Sequence, residues 1–377
     1  MSRSLSPAMM VSEADLSTFL RDWSGEPLLP VGEERFLGRG SWPELQPQRV
    51  ALDESNATVD HATADLTVTV GASVLMSDLQ KTLNRHGQWL PVALQPVGTV
   101  GGWIGSGRQS QMAGRFGSLR DYLIGIQGVT GRGRAFKAGG KVVKNVAGYD
   151  LMKLMTGSLG GFGLVTEATF RVLPLPETWG GFRYPMKKLS RTQLQEARAL
   201  EPTVLCLSRE ANGCFLIGGF SGRPNGVRER LRLVSDVLGA TEELPAATLR
   251  GLLDGWERRL LSGNQTLGWG GVLPSGVTNP TFLQSPGGPS LWDLLRGYAW
   301  WFDLPEPKTL STWRERLKTY EGVLNLDVAA ESSYEPWGWE SPAETAVWNR
   351  LKDNLDPEGI WAWGRLPGTT SLSRETS

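Results

Sequence analysis

Alternation of apolar and polar residues marks the first half of the chain and predicts half-buried β-strands. Residues 66–70 alternate Leu and Val with Thr, and residues 164–173 place apolar side chains on one face and Glu167, Thr169 and Arg171 on the other. Shorter apolar runs predict further strands at 27–31, 89–92 and 123–129. The first half is therefore expected to contain a sheet with one buried face.

Two helix starts and one loop are predicted between these strands. Ser77 and Gln80 have the spacing of a capping box, which predicts a helix beginning at Ser77. Asp150 is predicted to cap a second helix, with Leu151 and its neighbours at helical spacing on one face. The segment 96–107 is rich in glycine and is predicted to be a loop.

A different pattern follows Pro174 and Pro176, which end the last strand and predict a domain boundary. Predicted strands at 204–207 and 214–219 flank an Asn-Gly pair, which is typical of a tight hairpin. The remaining predicted elements are helices at 224–238 and 310–320 and a strand at 323–329. This order predicts an antiparallel sheet backed by helices.

The length of 377 residues suffices for two domains, which we place at 1–176 and 177–366, followed by a polar tail at 367–377 that is expected to be disordered. The 39 basic and 39 acidic residues balance, which argues against nucleic acid as a partner. No secretory signal is recognisable and no apolar run approaches the roughly 20 residues of a membrane span. We therefore expect a cytoplasmic protein without a transmembrane segment, whose two cysteines are reduced.

Two glycine-rich runs are the candidates for chemistry. One covers 98–107, and the other places seven glycines within 139–163. Such runs let the backbone approach a flat or phosphorylated ligand closely, and consecutive glycines can form an anion-binding nest. Neither run fits the dinucleotide fingerprint or the P-loop, so a nicotinamide domain or a P-loop ATPase is not expected.

Four motifs occur in a fixed order along the first half. They are Thr-Val-Gly-Gly at 99–102, Gly-Ser-Leu-Arg-Asp at 117–121, Lys-Asn-Val-Ala-Gly-Tyr-Asp at 144–150 and Gly-Ser-Leu-Gly at 157–160. Together they resemble the FAD-binding domain shared by vanillyl-alcohol oxidase and p-cresol methylhydroxylase, the PCMH type. Within that family the third motif is similar to the flavin subunits of bacterial glycolate oxidase, particularly the smaller one.

The resemblance implies an α+β fold, with a two-lobed PCMH-type FAD-binding domain followed by a cap domain of antiparallel sheet and helices. It implies that FAD is bound non-covalently and that no metal is bound. It assigns no catalytic residue. Segment 97–107 would line the pyrophosphate and ribityl chain, and backbone around 160–166 the flavin ring and the adenine side. The implied cofactor-binding residues are Gly32, Arg35, Val97, Gly98, Thr99, Val100, Gly101, Gly102, Ile104, Gly107, Gly117, Ser118, Asp121, Asn145, Gly148, Tyr149, Gly160, Gly163, Val165 and Thr166.

Three features depart from the family pattern, one of which is Ala-Trp-Gly-Arg at 362–365 in place of the family's closing Asn-Pro-Gly-Arg. Where the family has small residues around the diphosphate, this chain has Glu33 and Glu34. Either both carboxylates point outward while Arg35 and backbone amides bind the phosphates, or the diphosphate is bound poorly. His61 and His86 are the only histidines and are expected to be structural, so the second half lacks the usual base near neutral pH.

We therefore expect an FAD-binding subunit of a glycolate oxidase- or glycolate dehydrogenase-like complex that relays electrons rather than carrying the substrate site. The expected partners are a larger flavin subunit and an iron–sulfur subunit. A small 2-hydroxy acid would be the substrate of the complex, and peripheral membrane association through the complex is compatible with this. The alternatives are a stand-alone FAD-dependent 2-hydroxy-acid dehydrogenase, a flavin-free scaffold of the same fold, and a different flavoenzyme of the superfamily.

Overall fold

The computed structural model describes residues 8–37, 47–131, 133–140, 150–210, 213–239, 241–260, 267–271, 290–302, 307–318, 323–327, 342–361 and 365–366. Three predicted site residues, Asn145, Gly148 and Tyr149, lie outside the described residues, as does the predicted tail at 367–377. The turn at 211–212 within the predicted hairpin lies outside them as well.

A small parallel sheet begins the chain. Its elements are β1 (Met9–Val11), α1 (Glu13–Asp22), β2 (Leu28–Pro30) and β3 (Gln48–Leu52). The central strand is β3, and both neighbours run parallel to it. Ser12 caps α1 by accepting a hydrogen bond from the Asp15 amide at 3.1 Å, and Leu16 and Leu20 of this helix are buried in the core. The strand predicted at 27–31 is confirmed as β2.

A five-stranded antiparallel sheet forms the next lobe. The elements here are β4 (Val59–Ala62), β5 (Thr67–Gly71), α2 (Met76–Asn84), β6 (Gln88–Trp89), α3 (Val100–Ser106), α4 (Ala113–Phe116), α5 (Leu119–Tyr122), β7 (Leu123–Val129), β8 (Ala135–Gly139), α6 (Leu151–Met155), β9 (Leu164–Arg171) and β10 (Leu173–Pro174). The strand order is β4-β5-β9-β7-β8, and β10 pairs with β6. The predicted alternation in β5 and β9 is confirmed in part. Val68, Val70, Ala168 and Phe170 are buried and Arg171 is exposed, but Thr67 and Thr169 of the predicted polar face are buried as well.

The predicted helix start at Ser77 is wrong, because α2 begins one residue earlier. The amide of Met76 donates to the Gly98 carbonyl at 2.9 Å, and the Leu79 amide donates to the Leu75 carbonyl at 3.0 Å, so the chain is already helical at Met76. Leu75 therefore occupies the cap position without a side-chain hydrogen bond. Gln80 is buried instead, and its Oε1 accepts from the Leu90 amide at 3.2 Å.

The predicted loop at 96–107 is also wrong, because most of it is helix α3. Thr99 caps this helix by accepting a hydrogen bond from the Gly102 amide at 3.2 Å. The amides of Val100 and Gly101 donate to the carbonyls of Val74 and Ala72, both at 2.9 Å, which ties the helix to the segment after β5. The strand predicted at 89–92 is shorter than expected and ends as β6 at Trp89.

An eight-stranded antiparallel sheet underlies the second half. The elements are β11 (Thr178–Pro185), α7 (Arg191–Ala199), β12 (Val204–Glu210), β13 (Gly213–Gly222), α8 (Pro224–Leu238), β14 (Glu242–Leu244), α9 (Ala246–Leu260), β15 (Leu267–Gly271), β16 (Leu291–Asp293), β17 (Tyr298–Trp301), α10 (Pro307–Lys318), β18 (Asn325–Asp327) and α11 (Pro342–Leu355). The strand order is β14-β11-β13-β12-β16-β17-β15-β18. The predicted antiparallel sheet with helices is confirmed, as are the pairing of β12 with β13 and the helix α8.

Three further short segments are 3₁₀ helices, at Glu54–Asn56, Thr63–Asp65 and Met186–Lys188. After α11 the chain returns to the small parallel sheet. The Leu28 amide of β2 donates to the Ile360 carbonyl at 2.6 Å, and Leu28 forms a parallel bridge with Trp361. Trp361 is buried in the core of this lobe with Val50 and Leu16. The last described part of the chain therefore closes onto the lobe in which the chain begins.

Candidate cofactor site

Helix α3 has one apolar face and one bare face. The side chains of Val100, Trp103 and Ile104 are buried in the core of the five-stranded lobe. On the other side Gly101, Gly102, Gly105 and Ser106 line an open cleft. Because the bare face consists of glycines and one serine, a ligand in this cleft can approach the helix backbone closely.

This first cleft has a cavity volume of about 360 Å³. Its walls come from the segment after β2, from α3, from the loop before β9 and from Arg365 near the end of the chain. The predicted site residues that line it are Gly32, Arg35, Gly98, Thr99, Gly101, Gly102, Gly160, Gly163 and Val165. The structure therefore brings together predicted residues from three distant parts of the sequence.

A second cleft of about 400 Å³ adjoins the first, because Ser106 and Leu159 line both. Three predicted residues line it, Gly107, Ser118 and Asp121. The other lining residues include four cations and two tryptophans that the sequence did not single out, namely Arg108, Arg120, Lys153, Arg296, Trp269 and Trp348. The two clefts thus meet at the end of α3, and together their walls include residues near the parallel sheet and residues of the second half of the chain.

Five predicted residues do not line either cleft. Val100 and Ile104 point into the core, and the Val97 carbonyl accepts a hydrogen bond from the Trp103 indole at 2.7 Å. The Thr166 carbonyl accepts from the Ala72 amide at 2.8 Å and from the Asn56 side chain at 3.0 Å. Gly117 lies in the turn before α5, where an added Cβ would come within 2.7 Å of the Asp121 carboxylate. These five residues thus belong to the core, to hydrogen bonds within the protein or to a turn rather than to the cleft linings.

Asp121 is held charged at the edge of the second cleft. Its carboxylate accepts from the Ser118 amide at 2.6 Å and from the Ser118 hydroxyl at 2.9 Å. Burial opposes the charge, but these hydrogen bonds, with Arg296 and Arg120 nearby, hold the pKa of the Asp121 carboxyl below its usual value. Asp121 is therefore an anchor for α5 and a poor proton acceptor near neutral pH.

The first cleft contains the two glutamates that depart from the family pattern. Glu34 forms an ion pair with Arg49. Glu33 instead accepts a hydrogen bond from the Gly98 amide at 3.0 Å, and its carboxylate lies 3.8 Å from the Arg35 guanidinium. The alternative in which both carboxylates point outward is wrong for Glu33, because its carboxylate faces the Gly98 amide; weak binding of the diphosphate stays a prediction.

The residues fit an extended dinucleotide. An added Cβ at Gly105 would find no atom within 4 Å, so the helix is bare where it lines the first cleft. Arg35 and Arg365 supply positive charge at one end, which suits a diphosphate. The aromatic side chains of Trp269 and Trp348 at the other end suit a planar ring. The exception to this fit is Glu33, whose charge has the same sign as a phosphate.

A buried ion pair at the wall of the second cleft was not predicted from the sequence. Arg108 after α3 and Glu257 on α9 are both buried, with 4.0 Å between Arg108 Nε and Glu257 Oε1. Burial raises the pKa of the Glu257 carboxyl, against the opposing influence of Arg108 and Gln111. The two residues are 149 positions apart in the numbering, Arg108 to Glu257, and neither belongs to a motif. No local signal in the sequence reports such a pairing.

The two histidines lie outside both clefts. His61 Nε2 lies 2.8 Å from Gln88 Oε1, and the His61 and His86 rings contact each other edge to face with centroids 5.0 Å apart. Within the described residues, no group of three or more His, Cys, Asp and Glu side chains has metal-binding geometry.

Asp293 positions the turn that carries Arg296 into the second cleft. Its Oδ1 accepts from the Leu295 amide at 2.9 Å, and Arg296 donates to Gln109 Oε1 at 2.9 Å. Burial raises the pKa of Asp293 from the ordinary 3.8 to about 7, although hydrogen bonds from the Leu295 and Arg296 amides oppose the rise. The folded state therefore binds a proton at Asp293 in the range between these two values, where the unfolded chain does not.

We expect Asp293 to make the protein less stable as pH rises. A raised folded pKa contributes stability that is complete below the unfolded value and is lost as pH rises towards about 7. Relative to an Asp293→Asn variant, the wild-type chain should lose about 2–3 kcal/mol of unfolding free energy between pH 5 and pH 8, at about 1.4 kcal/mol per pKa unit. Urea denaturation of both proteins at the two pH values measures this; unfolding free energies that change in parallel would contradict it.

Comparison with known proteins agrees with this geometry. Residues 8–139 match the family described as the FAD binding domain. The chain is 32% identical over 295 residues to the glycolate oxidase subunit GlcE of Escherichia coli (strain K12), which covers 70% of this chain and 81% of that protein. It is 32% identical over 154 residues to the glycolate oxidase subunit GlcD of Bacillus subtilis (strain 168), covering 40% of this chain but 33% of that protein.

Further relatives agree with the fold and with the class of chemistry. A D-lactate dehydrogenase of Archaeoglobus fulgidus is 33% identical over 165 residues, covering 42% of this chain and 37% of that protein. The solved structure of an alkyldihydroxyacetonephosphate synthase superposes with a TM-score of 0.63 at 17% identity, covering 93% of this chain and 76% of that one. The sequence relatives include dehydrogenases of 2-hydroxy acids, so the predicted oxidoreductase class is confirmed.

Fold and cleft together define an FAD-binding flavoprotein of the PCMH type, which confirms the predicted fold class and the predicted cofactor, FAD. The chain belongs to the family of the glycolate oxidase subunit GlcE. The related subunits belong to a glycolate oxidase, which agrees with the expected place in a complex of several subunits. None of the described helices has the length and apolar character required to cross a bilayer.

Proposed function

We propose that this chain binds FAD non-covalently along the two adjoining clefts and serves as an FAD subunit of a glycolate oxidase-like complex. The supporting observation is the bare face of α3, which joins a cleft with arginines at one end to a cleft with tryptophans at the other. In this proposal Arg35, Arg365 and the backbone of α3 hold the cofactor. When bound, FAD would supply the capacity to accept and pass on electrons.

We further propose that the chain relays electrons and does not carry the substrate site. A general base works best with a pKa near the operating pH. The sequence contains no histidine after His86, and the hydrogen bonds from Ser118 keep the pKa of Asp121 below its usual value. Burial raises the pKa of Asp293 to about 7, but this residue is fully buried and lines neither cleft. The side chains around the second cleft would therefore bind and orient the ring system and limit its contact with water, while proton transfer from a 2-hydroxy acid would take place on another subunit.

The proposed partners are a larger flavin subunit and an iron–sulfur subunit. The similarity to subunit GlcE and, over a third of its length, to subunit GlcD supports a multi-subunit assembly. A small 2-hydroxy acid would be oxidised by the complex, in the cytoplasm or at a membrane surface reached through the partners. In this proposal the chain comprises two domains, at 1–176 and 177–366.

One observation favours a second candidate, a stand-alone 2-hydroxy-acid dehydrogenase. Four cations and two acids, Asp121 and Glu344, line the second cleft, and such an excess of positive charge suits a substrate carboxylate. A third candidate, a flavin-free scaffold, is favoured by the position of Glu33 in the first cleft. The three candidate functions predict different absorption spectra for the purified protein and different turnover by the isolated chain.

The visible absorption spectrum of the purified chain tests the proposal. After incubation with FAD, we expect the protein to show the yellow spectrum of a bound flavin. Acid precipitation should release this flavin to the supernatant, because no covalent bond holds it. The isolated chain should not reduce an artificial electron acceptor when glycolate or D-lactate is added. Turnover would favour the stand-alone dehydrogenase, and a colourless protein that takes up no FAD would favour the scaffold.

A further inference from the structure

The carboxylate of Glu33 occupies a backbone donor inside the first cleft. Its Oε2 accepts a hydrogen bond from the Gly98 amide at 3.0 Å. Gly98 has a φ of +83°, a left-handed conformation that glycine adopts at little cost. Both residues line the cleft that meets the bare face of α3. An anion belonging to the protein itself thus holds an amide that faces the proposed cofactor path.

The neighbouring glutamate is neutralised much more completely than Glu33. Glu34 pairs directly with Arg49, whose side chain is 11% exposed. Glu33 has Arg35 at 3.8 Å, and these side chains are 37% and 53% exposed, a distance and exposure at which an ion pair is weak. The negative charge of Glu33 is therefore compensated less directly than that of Glu34.

The diphosphate of FAD would need the same end of the cleft. Among the described residues that line the first cleft, the cationic side chains are Arg35 and Arg365. Glycine amides and guanidinium groups are the usual partners of phosphate oxygens. A carboxylate and a phosphate oxygen compete for the single N–H of Gly98, and like charges a few ångströms apart repel each other.

We propose that Glu33 is an internal competitor for the FAD diphosphate, which lowers the affinity of the chain for FAD and keeps the cofactor exchangeable. This inference rests on the proposed function. It predicts that Glu33 weakens the binding of the FAD diphosphate and does not affect the binding of the flavin ring. Riboflavin carries the same ring system without phosphate, so its binding is not subject to this competition.

Titrations with FAD and with riboflavin test the competition in the full chain. Glu33→Gln keeps an oxygen that can accept from Gly98 but removes the charge. The control Glu54→Gln removes one carboxylate from an exposed position that lines neither cleft. We expect Glu33→Gln to lower the Kd for FAD at least about tenfold, since one unit of charge repulsion is removed. The Kd for riboflavin should not change, and Glu54→Gln should bind both ligands as the wild-type chain does.

The outcomes separate this inference from the function on which it rests. If the wild-type chain binds FAD and Glu33→Gln binds it equally well or more weakly, the competition is refuted and the proposed function stands. A tightening that riboflavin shares would also refute it, because the effect would not depend on phosphate. If neither protein binds FAD, both proposals fail. Glu33→Ser, which removes the long side chain, should change the FAD affinity in the same direction as Glu33→Gln.

Discussion

A Gly105→Leu variant is expected to fold normally and to lose more than about a hundredfold in FAD affinity, since buried ligand contacts in a cleft supply the binding energy. An added Cβ at Gly105 meets no atom within 4 Å, and the position lines the first cleft. The new side chain therefore projects into the path that joins the two clefts. Leucine is also a better helix former than glycine by roughly 1 kcal/mol, so α3 should not be destabilised.

FAD fluorescence titration and the flavin content per chain measure this loss. Gly251→Leu is the matched control, because Gly251 also lies inside a helix, α9, has no atom within 4 Å of an added Cβ and lines neither cleft. The control should bind FAD as the wild-type chain does. Unchanged FAD affinity of a folded Gly105→Leu protein would contradict the proposed cofactor path.

The strands of the fold were largely predictable because their signal is local. In β9 the period of two alone separates Phe170, which is buried, from Arg171, which is exposed. The failures are tertiary in origin. Helix α3 was predicted to be a loop because glycine lowers helix propensity, but its amides are fixed by the carbonyls of Ala72 and Val74. The same glycines that misled the helix prediction are those that leave the cleft bare.

The candidate site could be predicted where it consists of glycine backbone. The runs around Gly98 and Gly160 line the first cleft as the resemblance implied, although their role in binding FAD stays a prediction. The contributions from elsewhere in the chain were not predictable. Arg296 reaches the second cleft through a turn that Asp293 holds. The direction of Glu33 depends on Gly98, 65 positions away in the sequence, so no local pattern reports it.

The buried ammonium group of Lys352 is expected to contribute strongly to the stability of the region around the first cleft. Its Nζ lies 2.5 Å from the Asp356 carboxylate and donates to the carbonyls of Gly161 at 2.9 Å and Trp361 at 2.7 Å. Asp356 in turn accepts from the amides of Ile360 and Trp361, at 2.9 and 2.8 Å. The pair thus connects helix α11 to the segment at Ile360 and Trp361 and to the loop at Gly161, which precedes β9.

We expect Lys352→Met to lower the free energy of unfolding by about 3–5 kcal/mol, because it leaves the Asp356 charge buried without its cation and two carbonyls without a donor. Adding Asp356→Asn to Lys352→Met should recover part of the loss, since the uncompensated charge is then removed. Lys81→Met is the control, because Lys81 forms an exposed pair with Asp78 at 2.8 Å that is expected to contribute little.

Urea unfolding of the three variants and the wild-type chain measures these differences. Burial lowers the pKa of Lys352 although Asp356 opposes this, so the pair already bears a desolvation cost, and only its completed hydrogen bonds make it stabilising. One of those hydrogen bonds goes to the Gly161 carbonyl, and the nearby Gly160 and Gly163 line the first cleft. Loss of this bond in Lys352→Met should therefore also weaken FAD binding. Equal stability of Lys352→Met and Lys81→Met would mean that this region is held by its apolar core alone.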